Sequence, residues 1–172
     1  RHPKTGKKKG GIKVHTVIHA NEGVPSDIKF TSAATNDSFM LKPATLGKGD
    51  IMAMDRAYID YEKFGQLTQR GVIYVTKMKK NLKYNILSDT MYQTPDGLME
   101  VRIQNVEFVK QLKGGETIHH KSRIITYADV KKHNLISLLT NDMESDPEEI
   151  IAIYRQRWEI ELLFRQMKQV FP

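Results

Sequence analysis

Hydrophobic and polar positions alternate early in the chain. In GIKVHTVIHA, Ile12, Val14, Thr16 and Ile18 fall on one side and Lys13, His15, Val17 and His19 on the other. A period of two predicts a strand. Asn21-Glu22-Gly23 reads as a turn, and SDIKFTSA as a second strand pairing back on the first. A short helix is expected from Asn36 to Leu41, ending near Pro43. After LGKGD comes IMAMDRA, short and apolar as a central buried strand should be. DYEKFGQLTQRG switches to helical spacing, with Phe64 and Leu67 on one face and Gly71 suited to the stop. VIYVTKM is the next strand. Strand, helix, strand over residues 50–78 is a βαβ unit, which predicts parallel pairing.

The stretch 80–132 has a different texture. LMEVRIQNVEFV and TIHHKSRIITYA flank Lys113-Gly114-Gly115, a hairpin signal, and no helix stands out. NLISLLTN follows as a further apolar strand. The last element carries the clearest start signal. Asp146 can cap, Pro147 suits the first helical position, Glu149 completes a capping box, and no breaker follows until about Gln169. The acidic first turn also complements the helix dipole.

Composition narrows the function classes. At 172 residues the chain can bury one substantial core, and 40% hydrophobic content fits a globular domain. Its apolar runs are too short to span a bilayer, and residues 1–10 are basic, without the apolar core of a signal peptide. The absence of cysteine excludes disulfides, thiolate zinc sites and a cysteine nucleophile, and fits a reducing cytoplasm. A net charge of +7 suits a polyanionic partner. The lysine-rich opening and the stop at Phe171-Pro172, directly after a helical run, lead to the expectation of a fragment of a longer protein. Lys7-Lys8-Lys9 follows Gly6 without the spacing of a phosphate-binding loop. His119, His120 and His133 lack a metal-ligand spacing and read as strand or surface residues. Trp158, one turn from Tyr154, is expected in the core.

The last helix holds the sharpest chemistry. Arg157, Glu161 and Lys168 follow Tyr154 at offsets of 3, 7 and 14. At the helical repeat these four groups fall in a stripe about 60° wide, with Arg165 pointing in a similar direction and Glu159 on the opposite side. By geometry alone the stripe could equally be a salt-bridged helix face, with Arg157 and Glu161 as an i,i+4 pair.

Tyr154-x2-Arg157-x3-Glu161-x6-Lys168 resembles the signature of a large group of DDE-type bacterial insertion-sequence transposases. DRAYIDYEKF is similar to the segment carrying that family's second aspartate. GGIKVHTVIHANEGVP resembles its early strand pair. VIYVTKMKKN resembles the strand after the second aspartate, where many members carry arginine at the position of Lys77.

The resemblance implies an α/β, ribonuclease-H-like mixed sheet flanked by helices. Residues 1–79 and 133–172 would form the core, and 80–132 a β-rich insertion before the final catalytic helix. It implies Asp55 and Glu161 as catalytic, metal-binding carboxylates and two Mg²⁺ (or Mn²⁺) ions in the complete site. Hard cations of this kind prefer oxygen ligands. It implies Tyr154, Arg157, Lys168 and Lys77 as DNA-binding residues. Asp55 also suits its role physically. It shares the strand face of Ile51 and Ala53 and lies at the carboxyl end, where open α/β sheets bind ligands. Its rivals are Asp50, at the strand's beginning, and Asp60, in the opening turn of the next helix.

The family's first aspartate belongs on a strand before Gly11, and residues 1–10 contain no acid, so it is expected upstream and the fragment alone is expected to be inactive. The implied partners are double-stranded DNA and, at full length, a second copy of the protein. The implied location is the bacterial cytoplasm, on the nucleoid. The alternative is a nucleic-acid-binding domain without catalysis, such as a decayed transposase.

Overall fold

The computed structural model describes residues 12–19, 25–32, 47–54, 59–131 and 133–170. For the first two strands, Met54, and Ile160, Glu161, Phe164, Arg165, Met167 and Lys168 on the last helix, the backbone alone is described. The short helix expected at Asn36 to Leu41 lies outside the described residues.

Eight strands form one mixed sheet. They are β1 (Ile12–His19), β2 (Pro25–Ser32), β3 (Asp50–Met54), β4 (Ile73–Lys77), β5 (Asn85–Gln93), β6 (Glu100–Gln111), β7 (Thr117–Asp129) and β8 (Asn134–Thr140). Their order across the sheet is β2-β1-β3-β4-β8-β7-β6-β5. Two helices are described, α1 (Tyr61–Gln69) and α2 (Pro147–Val170).

The expected βαβ unit is present. β3 and β4 run parallel, from Ile51 opposite Ile73 to Met54 opposite Thr76. α1 makes the crossover between them. Asp60 is its N-cap, extended at φ −143°, with Oδ1 accepting the Lys63 N–H at 3.3 Å. At the other end Gly71 adopts φ +73°, the left-handed conformation that glycine takes without strain, and the Val72 N–H donates to Leu67 O at 2.9 Å.

The remaining described pairs are antiparallel. β1 pairs with β2, as the early alternation predicts, and also with β3. The hairpin expected around Lys113 is β6–β7, with Arg102 opposite Thr126 through to Gln111 opposite Thr117. β5, which the alternation did not mark, adds an outer rim through its pairing with β6. β5, β6 and β7 therefore extend the same sheet as the βαβ unit. The excursion that contains them closes on itself, because the Met78 N–H donates to Ser137 O at 2.8 Å beside the β4–β8 pairing.

Strand alternation sends neighbouring residues to opposite faces. Tyr74, Ile124 and Leu139 join Met52, Val106 and Phe108 beneath Phe64 and Leu67 of α1. Val75, Ile125 and Leu138 join Val101, Tyr127 and Ile136 beneath Ile150, Ile151 and Tyr154 of α2. Each large apolar side chain so buried contributes about 1.5–3 kcal/mol. Both faces are thus covered, by α1 on one side and α2 on the other.

The α1 face holds a buried histidine. His120 on β7 lies among Phe64, Tyr74 and Tyr61, with Nε2 2.6 Å from the Tyr74 hydroxyl. It is a strand residue, as the sequence reading allows, with its side chain in the core rather than at the surface. Burial pushes its pKa down to about 4 from an ordinary 6.5. The folded protein keeps this ring neutral, while the unfolded chain takes up a proton below 6.5. Its stabilisation is therefore complete above that pH and declines as pH falls toward 4, by about 3 kcal/mol in all. Urea midpoints measured from pH 7 to 4 should show this decline. His120→Gln, which cannot titrate, should flatten it; an unchanged slope would place the proton elsewhere.

Candidate active site

β3, the strand that ends just before Asp55, and α2, which carries Glu161, meet on one side of the sheet. α2 packs against β3 and β4. On β3, Met52 belongs to the α1 face, so Ile51 and Ala53 lie on the α2 face, and Ala53 is fully buried there. Asp55 follows Met54 in the chain and lies outside the described residues. Glu161 is on the described backbone of α2, two turns beyond Tyr154. Lys168 is on the same helix, near its end.

The stripe's first two members point inward. Tyr154 and Arg157 are only 6% and 3% exposed. Tyr154 packs among Val75, Tyr127 and Ile136, and the Arg157 guanidinium carbon sits 5.4 Å from the centre of the Tyr154 ring, a cation–π arrangement. Lys77 is half-buried at the end of β4, opposite Leu138. Trp158 is half-buried rather than in the core. It lines a cleft of about 900 Å³ between α2 and the β5–β8 part of the sheet, with Tyr127, Arg155 and Leu162. Burial raises the Tyr127 phenol to about 12, against the opposing pull of the Arg155 guanidinium over its ring at 5.6 Å.

The two rivals of Asp55 have local structural partners. Asp60 is occupied as the α1 cap. Asp50 starts β3, and its Oδ2 accepts the Gly47 N–H at 3.0 Å, closing the turn before the strand. Among the described residues no three of His, Asp and Glu gather into a metal-binding group.

The junction that launches α2 is dense in hydrogen bonds. The Glu149 N–H donates to Asp146 O at 3.0 Å, opening the helix. Asp142 Oδ1 accepts the Glu144 and Ser145 N–H groups at 3.0 and 2.9 Å. Burial alone raises the Asp142 pKa, but the hydrogen bonds from Ser145 and Glu144, with the nearby Arg123 charge, hold it below the ordinary value. Arg123, itself buried on β7, donates through Nη1 to Ser145 O at 2.7 Å. Tyr92 OH donates to Glu148 Oε1 at 3.1 Å, linking the rim strand to the first turn of α2. Sequence reasoning singled out neither Arg123 nor Asp142. The available signal was a charged residue inside the apolar run RIITY, because a buried charge needs partners.

A mixed α/β sheet covered on both faces, with a long helix laid against its central parallel strands, defines the class of protein. The chain belongs to the transposase DDE domain family, whose model matches residues 1–171. It is 27% identical over 161 residues to the putative transposase y4zB of Sinorhizobium fredii, covering 92% of this chain and 44% of that protein. It is 24% identical over 169 residues to a probable transposase for insertion sequence element IS5377 of Geobacillus stearothermophilus, covering 94% of this chain and 42% of that protein. The chain therefore spans less than half the length of these relatives. Among the described residues no helix is long and apolar enough to cross a membrane.

Asp142→Ala removes the acceptor of two N–H groups in the α2 launch. By analogy with loss of a helix cap it should cost about 1–2 kcal/mol. The parent's advantage over this variant should shrink in acid, since a carboxylate with a lowered pKa loses its contribution as pH falls through that pKa. Denaturant titrations at pH 7 and pH 3 check both points; a constant difference would contradict the assignment.

Proposed function

We propose that this chain is most of the catalytic core of an insertion-sequence transposase. It would cleave phosphodiester bonds at the element's ends and join those ends to target DNA. The observation that carries this reading is the packing of α2, bearing Tyr154, Arg157, Glu161 and Lys168, on the face of β3 and β4 that Ile51 and Ala53 share. β3 ends one residue before Asp55. A ligand site outside the carboxyl ends of parallel strands is the usual arrangement in open α/β sheets.

The residue types fit a hard divalent cation. Asp55 and Glu161 offer only oxygen, which suits Mg²⁺ or Mn²⁺, and two ions are expected in the complete site. When bound, such ions activate the attacking oxygen and stabilise the leaving one in an in-line displacement at phosphorus. The protein's own groups have separate tasks. Asp55 and Glu161 hold negative charge at the strand end. Lys77 and Lys168 neutralise phosphates. Arg157, buried over Tyr154, fixes the helix face beside Glu161 and offers donors to a phosphate drawn into the site. The family resemblance puts the third carboxylate on a strand that precedes the one beginning near Gly11.

In this reading, residues 1–79 and 133–172 are the core and 80–132 an insertion carrying β5, β6 and β7. The net charge of +7 supports double-stranded DNA as partner. Two copies of the complete protein would act together on paired ends, in the bacterial cytoplasm at the nucleoid.

In the complete protein, Glu161→Gln and Asp55→Asn should each lower cleavage of element-end DNA by at least about a hundredfold. Binding of the same DNA should persist in mobility-shift assays. Cleavage by either variant at the parent rate would sink the assignment. A parent protein that binds DNA but never cleaves it would favour the decayed, purely DNA-binding reading.

A further inference from the structure

We propose that Asn141 is a positioning residue for the cleavage reaction, fixing where α2 leaves the sheet and so where Glu161 stands against the end of β3. This rests on the reading of Glu161 given above.

β8 stops pairing with β4 where Thr140 lies opposite Val75. Beyond that point β4 and the residue before it still present the Tyr74 N–H and the Val72 carbonyl, groups that a longer β8 backbone would have engaged. The Asn141 side chain engages them instead. Its Oδ1 accepts the Tyr74 N–H at 2.9 Å, and its Nδ2 donates to Val72 O at 2.8 Å. The same Nδ2 donates to Thr68 Oγ1 at 3.0 Å, and the Thr68 hydroxyl donates to Phe64 O at 2.8 Å. One amide thus ties the end of β8 to β4 and to the last turn of α1.

The residue type is dictated by this geometry. The site needs one acceptor and one donor on the same planar group, and a carboxylate supplies no donor. Alanine supplies neither.

From Asn141 onward the chain has little freedom before α2. The Asp142 N–H donates to Thr140 Oγ1 at 3.1 Å, Asp142 holds the Glu144 and Ser145 N–H groups, and Arg123 holds Ser145 O. The helix then acts as a lever. Glu161 lies 14 residues beyond Pro147, about 21 Å along the axis, so a tilt of about 3° at the junction displaces it by about 1 Å. Misplacement on that scale can slow a reaction about a hundredfold.

The test uses the complete protein, with single-turnover cleavage at saturating DNA well below the melting temperature. N141A should cleave about tenfold to a hundredfold more slowly, with DNA affinity unchanged. Val106→Ala, in the core on the opposite face, serves as a control for lost stability and should keep the parent rate for the same fall in melting temperature. N141D adds a pH readout: held against the Val72 carbonyl, its carboxyl is pushed above the ordinary range, and the protonated acid accepts from the Tyr74 N–H and donates one bond where the amide donates two, while the carboxylate donates none. Its rate relative to the parent should therefore rise as pH is lowered from 8.5 to 6. Should N141A fail to fold, this profile decides the question within a single variant. Cleavage by N141A within about twofold of the parent, a flat N141D ratio, or equal slowing by Val106→Ala would each overturn the proposal. Failure of the underlying reading looks different, because Glu161→Gln would then cleave normally.

Discussion

Two neighbouring strands that run parallel cannot be joined by a tight turn, and this constraint on β3 and β4 organises the molecule. The chain must leave the sheet at Met54, cross one face and return at Ile73. α1 occupies that face as a result, which leaves the opposite face for the only other described helix. With both faces covered, the central strands carry apolar residues toward both sides, with Thr76 and Thr140 buried among them. Tyr74 beside Val75, and Leu138 beside Leu139, show the pattern, each member of a pair entering a different core.

Burial on both faces makes each polar group inside it consequential. His120 stays neutral against the Tyr74 hydroxyl, Arg123 is directed to main-chain carbonyls, and Asn141 completes a strand edge that the backbone has abandoned. Apolar burial supplies most of the driving force but fixes positions loosely, because it has no direction. The polar contacts are directional, and they concentrate where β8 hands over to α2. The fold thus places its angular precision at the base of the helix that carries Glu161.

Legibility in the sequence followed how locally each feature is determined. The end of α1 and the start of α2 carry their signals within a few residues, at Gly71 and Pro147, and were readable. β6 and β7 announced themselves through Lys113-Gly114-Gly115. β5 did not, because it is an edge strand whose residues are exposed except for half-buried Tyr92, so no face of it needs to be apolar. The Tyr154 stripe shows a similar limit. Helix phasing tells which residues share a face but not what that face meets, and Tyr154 is buried in a cluster that includes Val75 of β4, far away in the chain. Asn141 was invisible for the same reason, since the groups it bonds lie on β4 and α1. Asp50 and Asp60 bond backbone groups within three residues, but the sequence left both as rivals of Asp55, because a cap or turn and a ligand call for the same carboxylate.

The hydrogen bond between Met78 and Ser137 gives the excursion between β4 and β8 a property of its own. Its two ends meet on adjacent strands, so the entropy of closing it grows only slowly with the number of residues it contains. Whole strands could be added to or trimmed from the outer rim at β5 without altering the route from β3 through α1 to β4. Length in this region can therefore change at little entropic cost.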